Sequence, residues 1–220
     1  MYQLSFFIEL VALFILSKFL TKSLLRLFFK FTNSEEMTVN LIFCLFFPGI
    51  VIHELAHLLS AGLFFVKTGG MELVPKITGG EIRLGSVEVA KTDPFRRTII
   101  GVAPVLLGLA LIFGILFYIN EFAIKNLIIL ASSFYVIFAV GNTLFSSKKD
   151  LEGTVELLFV LFLLLAALFI LKAEAARFFV QIIQEKEIVN FFKNADPFLI
   201  TPILLDLTIV MLVRLLVNKR

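Results

Sequence analysis

The sequence predicts an all-α integral membrane protein of about six transmembrane helices, with a small β-hairpin-like insertion between the second and the third. Three observations carry that expectation. Of 220 residues, 60% are hydrophobic and 17% charged, against about 45–50% and about 25% in soluble domains. Mean hydropathy is +1.01. Apolar runs of membrane-crossing length, ~20 residues, recur along the chain and are separated by short polar breaks. The single Cys excludes a disulfide framework and any cysteine-rich metal site. A net charge of +3, with no basic stripe interleaved by aromatics, gives no reason to expect a nucleic-acid partner. The 27 Phe lie mostly inside apolar runs and read as lipid-facing bulk.

The first apolar run, Leu4 to Leu16, lacks a basic leader and a small-residue cleavage site, so it reads as a retained helix. Lys18, Lys22, Arg26 and Lys30 follow at four-residue spacing, predicting an amphipathic continuation at the membrane interface. The second span is Leu41 to Val66 and the third Ile99 to Ile119. Between them, Lys67 to Arg97 is glycine-rich and alternates at Ile82/Leu84 and Val87/Val89. That predicts a hairpin around Thr78-Gly79-Gly80, lying outside the hydrocarbon. Phe122 to Leu144 and Val155 to Leu171 are the fourth and fifth spans. Ala173 to Asn194 pairs Phe178 with Ile182 and Phe179 with Ile183, as an amphipathic helix lying flat on the surface would. Phe198 to Val217 is the last span, and residues 1–220 form one polytopic, multi-pass domain expected in the cell membrane. With a cytoplasmic N-terminus, 11 of the 20 basic residues fall on the cytoplasmic side, a small positive-inside margin.

The second span contains His53-Glu54-Leu55-Ala56-His57, which holds both histidines of the chain. Ionisable side chains inside a membrane helix are costly and tend to be functional. At 100° per residue, His53 and His57 fall within about 40° of one face and about 6 Å apart along the axis. Two imidazoles so placed can bind one Zn²⁺ per chain, and Glu54 projects beside them as the base for a zinc-bound water. A buried His pair without metal is the blander alternative. A hydrolytic site at this depth requires packing around a water path.

Catalytic zinc usually has three protein ligands. With no third His, and with Cys44 on the opposite side of the helix where it reads as packing, a carboxylate must serve. Glu9, Glu121, Asp150, Glu152, Glu156 and Asp206 are the acidic residues near membrane depth. Asp150 is preferred, because the chain there returns to the membrane side of the 67–97 segment. Glu9 and Asp206 lie in peripheral spans, where a partner such as Arg214 or a polar backbone site accounts for them.

Three stretches resemble the site-2 protease family of intramembrane zinc metalloproteases. Phe47-Pro48-Gly49-Ile50-Val51-Ile52-His53-Glu54-Leu55-Ala56-His57 is similar to the family's zinc-binding helix. Gly101-Val102-Ala103-Pro104 resembles its Gly-Pro segment with two residues interposed, and Asn142 and Asp150 keep its eight-residue separation. The resemblance covers about residues 40–155. It implies His53, His57 and Asp150 as zinc ligands, Glu54 as catalytic base, and membrane proteins or peptides in the lipid bilayer as substrates. The chain departs from the pattern at Leu151, where the family has Gly, and at Phe145, where it has Pro. Glu152 and Glu156, four apart, keep a second assignment open, in which Glu156 is the third ligand of a membrane protease resembling the CAAX-processing enzymes. A catalytically silent protein that uses a structural zinc site and binds membrane segments is the alternative from another class. Intact Glu54 argues against it.

Overall fold

The computed structural model describes residues 2–78, 81–145, 159, 163, 164, 166, 167, 169, 170, 181 and 184–218. Its helices are α1 (Tyr2–Thr32), α2 (Glu35–Leu63), α3 (Pro94–Glu121), α4 (Leu127–Thr143) and α5 (Lys186–Asn218). Strands β1 (Thr68–Glu72), β2 (Lys76–Thr78), β3 (Glu81–Arg83) and β4 (Ser86–Val89) lie between α2 and α3. Among the described residues, α1, α2, α3 and α5 are long and apolar enough to cross a membrane, and α4 is a shorter apolar helix. Four candidate spans thus stand where six were expected. Most of the fifth expected span, and residues 173–180, 182 and 183 of the expected surface helix, lie outside the described residues.

The first helix continues past Leu16 as expected: α1 runs unbroken to Thr32, and Leu20, Leu24 and Leu27 are buried in one cluster with Ile42, Phe46 and Val210. The basic residues occupy the outer face of this helix, because the apolar positions between them recur at helical spacing along its length. One boundary changes: residues 186–194 belong to α5, not to a helix flat on the surface. The Phe192 ring meets that of Phe6 edge-on at 5.2 Å, and Ala195 and Leu199 are buried beside Leu13 and Ile112.

The helix ends follow from local chemistry. Ser34 caps α2 by accepting from the Met37 N–H, and Asp93 caps α3 by accepting from the Arg96 N–H at 3.0 Å. That backbone N–H holds the Asp93 carboxyl below its ordinary range. At the C-terminus of α2, Val66 N–H reaches Ala61 C=O and Phe65 N–H reaches Gly62 C=O, with Phe65 at φ 55°. This reversal ends the helix three residues before the expected Val66.

The insertion is a long hairpin in two paired sections. β1 pairs antiparallel with β4 and β2 with β3, flanking the glycines expected at the turn. It is not confined to the surface. At the waist between the two sections, Leu73 and Leu84 pack on the cluster around Leu20, Ile42 and Phe46. A Cβ on Gly85 would stand 2.9 Å from Ile50 Cγ2 and 3.0 Å from Glu54 Cγ. Two apolar side chains and a glycine let the waist lie directly against α2.

The last two turns of α4 are the hub of the bundle, with every residue from Ile137 to Leu144 buried. Close approaches at glycine bring the neighbours in, as small residues do between membrane helices. Gly49 of α2 abuts Ala139 and Thr143, Gly108 of α3 abuts Leu144 and Val140, and Gly141 itself abuts Pro202 of α5. Asp206 is also a structural correction. It is fully buried, it accepts from Asn142 Nδ2 at 2.7 Å, and Arg214 instead lies over the Phe19 ring at 4.8 Å. Ser17 of α1 donates to the Asn142 carbonyl at 2.9 Å, so one asparagine joins α1, α4 and α5.

Two measurements check this packing. Gly49→Ala drives a Cβ into the Ala139 carbonyl oxygen and should lower thermal stability in detergent by at least about 1–3 kcal/mol, the usual cost of overpacking. Gly114→Ala, which meets nothing within 4 Å, should leave stability unchanged or slightly raised. In a double-mutant cycle, Asn142→Ala and Asp206→Ala should each cost roughly 1–3 kcal/mol by orphaning the partner. The double variant should cost clearly less than their sum.

Candidate metal centre

His53, Glu54 and His57 are all buried on α2, at 4%, 6% and 8% exposure. His53 lies about 15 Å along the axis from the helix end at Leu63, which is half the thickness of a ~30 Å hydrocarbon layer. The two imidazoles meet edge-on, with centroids 4.9 Å apart and planes at 82°. Their Nε2 atoms face each other at 3.3 Å.

The tautomer of His57 follows from its other nitrogen. Nδ1 lies 2.9 Å from the Ile100 carbonyl oxygen on α3. A carbonyl only accepts, so Nδ1 carries the hydrogen, and in the neutral ring Nε2 presents a lone pair towards His53. Metal-binding histidines are held in this way by a partner on the second nitrogen. The Ser60 hydroxyl donates to the His57 carbonyl at 3.1 Å and is thereby satisfied within α2.

The donor set can be tested against zinc by its spacing. A tetrahedral ion about 2.0–2.1 Å from each imidazole nitrogen sets the two nitrogens about 3.3–3.4 Å apart. The observed 3.3 Å fits, and the lone pair that Ile100 enforces is the one a metal requires. Among the described residues no group of three or more His, Cys, Asp or Glu could hold a metal ion, and α2 offers two of the donors a zinc site would need. Asp150, Glu152 and Glu156 lie outside the described residues. The other acidic candidates are elsewhere: Asp206 is tied to Asn142, Glu121 is exposed at the end of α3, and Glu9 is half-buried on α1. Cys44 is exposed, not packed, and takes no part.

Two contributors to this site escape a reading of residue types. Ile100 acts through its backbone, which no side-chain motif reveals. The available signal is Pro104, four residues further along an apolar helix. Gly85 sits 3.1 Å, at its virtual Cβ, from Glu54 Oε1. Its signal is a glycine beside Leu84 where a β-ribbon needs no glycine.

No family model matches the chain, and neither the curated proteins nor the solved structures include one similar to it, so the likeness to the site-2 proteases rests on its motif residues alone.

Proposed function

We propose that this protein is an intramembrane zinc metalloprotease that hydrolyses peptide bonds of membrane-anchored substrates. The observation that carries the reading is the pair of buried imidazoles with Nε2 atoms 3.3 Å apart, next to a buried glutamate, in a helix apolar enough to cross a membrane. A structural metal site has no need of Glu54 in that position. Zinc bound by His53, His57 and a carboxylate would act as a Lewis acid on the scissile carbonyl and make the attacking water more acidic. Glu54 takes the proton of that water and passes it to the leaving amine.

Two features of the fold support hydrolysis at this depth. Among the described residues no further strand pairs with the hairpin, and polar backbone at membrane depth is tolerated where it faces a wet cavity. A wet cavity at the waist, beside Glu54, would supply water to the base. An open edge also offers pairing to an unwound substrate segment, whose helical carbonyls must be released before cleavage. Chain reach supports Asp150 as the third ligand. α4 ends at Thr143, which abuts Gly49, one turn before His53 on α2. Asp150 is then five residues beyond Phe145, a distance of at most about 17 Å of chain.

The purified protein should contain one zinc per chain and cleave a model membrane substrate. Glu54→Gln should keep the zinc and lose activity by at least about 100-fold, the lower end of a general base's contribution. A wild-type protein without zinc overturns the proposal. Asp150→Ala should lower the zinc content, and an unchanged stoichiometry, with loss instead in Glu156→Ala, would move the third ligand to Glu156. Chelation should abolish cleavage, and added zinc should restore it.

A further inference from the structure

α3 contains Pro104 in its interior. In an α-helix the N–H of residue 104 would bond the carbonyl of residue 100. Proline has no N–H, and its ring pushes against the carbonyl four residues back, tilting it out of the helical ladder. The carbonyl so released is Ile100, the atom that receives His57 Nδ1 at 2.9 Å. Ile100 is 3% exposed, within a small cluster with Ala61 and Val66, so the oxygen is remote from solvent and needs a donor from the protein.

The same relation recurs once more. Pro48, inside α2, deprives the Cys44 carbonyl of its helical donor, and the Tyr135 hydroxyl of α4 donates to that oxygen at 3.4 Å. A proline-freed carbonyl met by a side chain of a neighbouring helix is therefore a repeated device in this bundle. At Pro104 the side chain is half of the candidate metal centre.

We infer that Pro104 is a positioning residue for the metal: by freeing the Ile100 carbonyl it fixes His57 in the Nδ1–H tautomer and points the Nε2 lone pair at the ion. The inference rests on the zinc reading of the HExxH site, and it adds a requirement on α3 that lies outside that motif. Replacing Pro104 by Ala restores a competing N–H at 2.9–3.0 Å geometry typical of a helix, draws the Ile100 carbonyl back into the ladder, and leaves His57 Nδ1 with a weakened partner. Loss of such an outer contact typically costs about 10–100-fold in metal affinity.

The test uses the full chain in detergent, with zinc affinity measured by chelator competition for the wild type, Pro104→Ala and Pro48→Ala. Pro104→Ala should weaken zinc binding about 10–100-fold with thermal stability retained, while Pro48→Ala should bind as the wild type does. The chain has only two His, so ¹⁵N-histidine labelling yields two ring systems that can be followed separately. In the metal-free wild type one ring should be the Nδ1–H tautomer, and in Pro104→Ala that ring should shift towards a tautomer mixture. Zinc affinity within twofold of wild type together with unchanged ring signals overturns the inference. Equal weakening by Pro48→Ala also overturns it, because the effect would then be a general one of proline on the bundle. A wild type that binds no zinc overturns the functional reading instead, and the ring signals still decide whether Pro104 sets the tautomer.

Discussion

A carbonyl oxygen that its own helix leaves without a donor has few remedies inside a hydrocarbon layer, since water is absent and each open group costs several kcal/mol. The described part of this chain meets that constraint with side chains from neighbouring helices. Pro104 leaves Ile100 open and His57 supplies the N–H; Pro48 leaves Cys44 open and Tyr135 supplies the O–H. At and just beyond the end of α4, Ser17 and Lys18 of α1 donate to the carbonyls of Asn142 and Phe145 at 2.9 and 2.8 Å. Each bond crosses between helices, so satisfying the backbone and fixing the bundle are the same event.

That economy explains why the short helix α4 is central. Its first half is largely exposed and its last two turns are wholly buried. Gly49, Gly108 and Gly141 bring three partners close enough for backbone and small side chains to touch. Asn142 spans the remaining gap to Asp206 on α5. The turn of α2 that carries His53 starts at Gly49, so the packing that holds α4 also sets the position and rotation of the His53–His57 pair. Overpacking at Gly49 would be felt at His53 one turn away.

The hairpin bears on the proposed hydrolytic reading of so apolar a chain. Hydrolysis at mid-membrane needs water, and helices alone would exclude it. The waist of the hairpin, held to the core by Leu73 and Leu84, lays a glycine against Glu54, and no further strand among the described residues pairs with it.

Composition and periodicity sufficed to read the bilayer, the helical class, the hairpin around Thr78-Gly79-Gly80 and the pairing of His53 with His57, because each depends on hydrophobicity or on residue spacing within one element. The same local logic misjudged residues 186–194, Asp206 and Cys44. Whether a helix face lies at an interface, in a core or against lipid is decided by which other helix covers it. Ile100 and Gly85 were beyond its reach for a further reason: one acts through a backbone oxygen and the other through a missing side chain. Neither has a residue type to announce it, and only the crossing of α2 with α3, and of α2 with the hairpin, gives them a role.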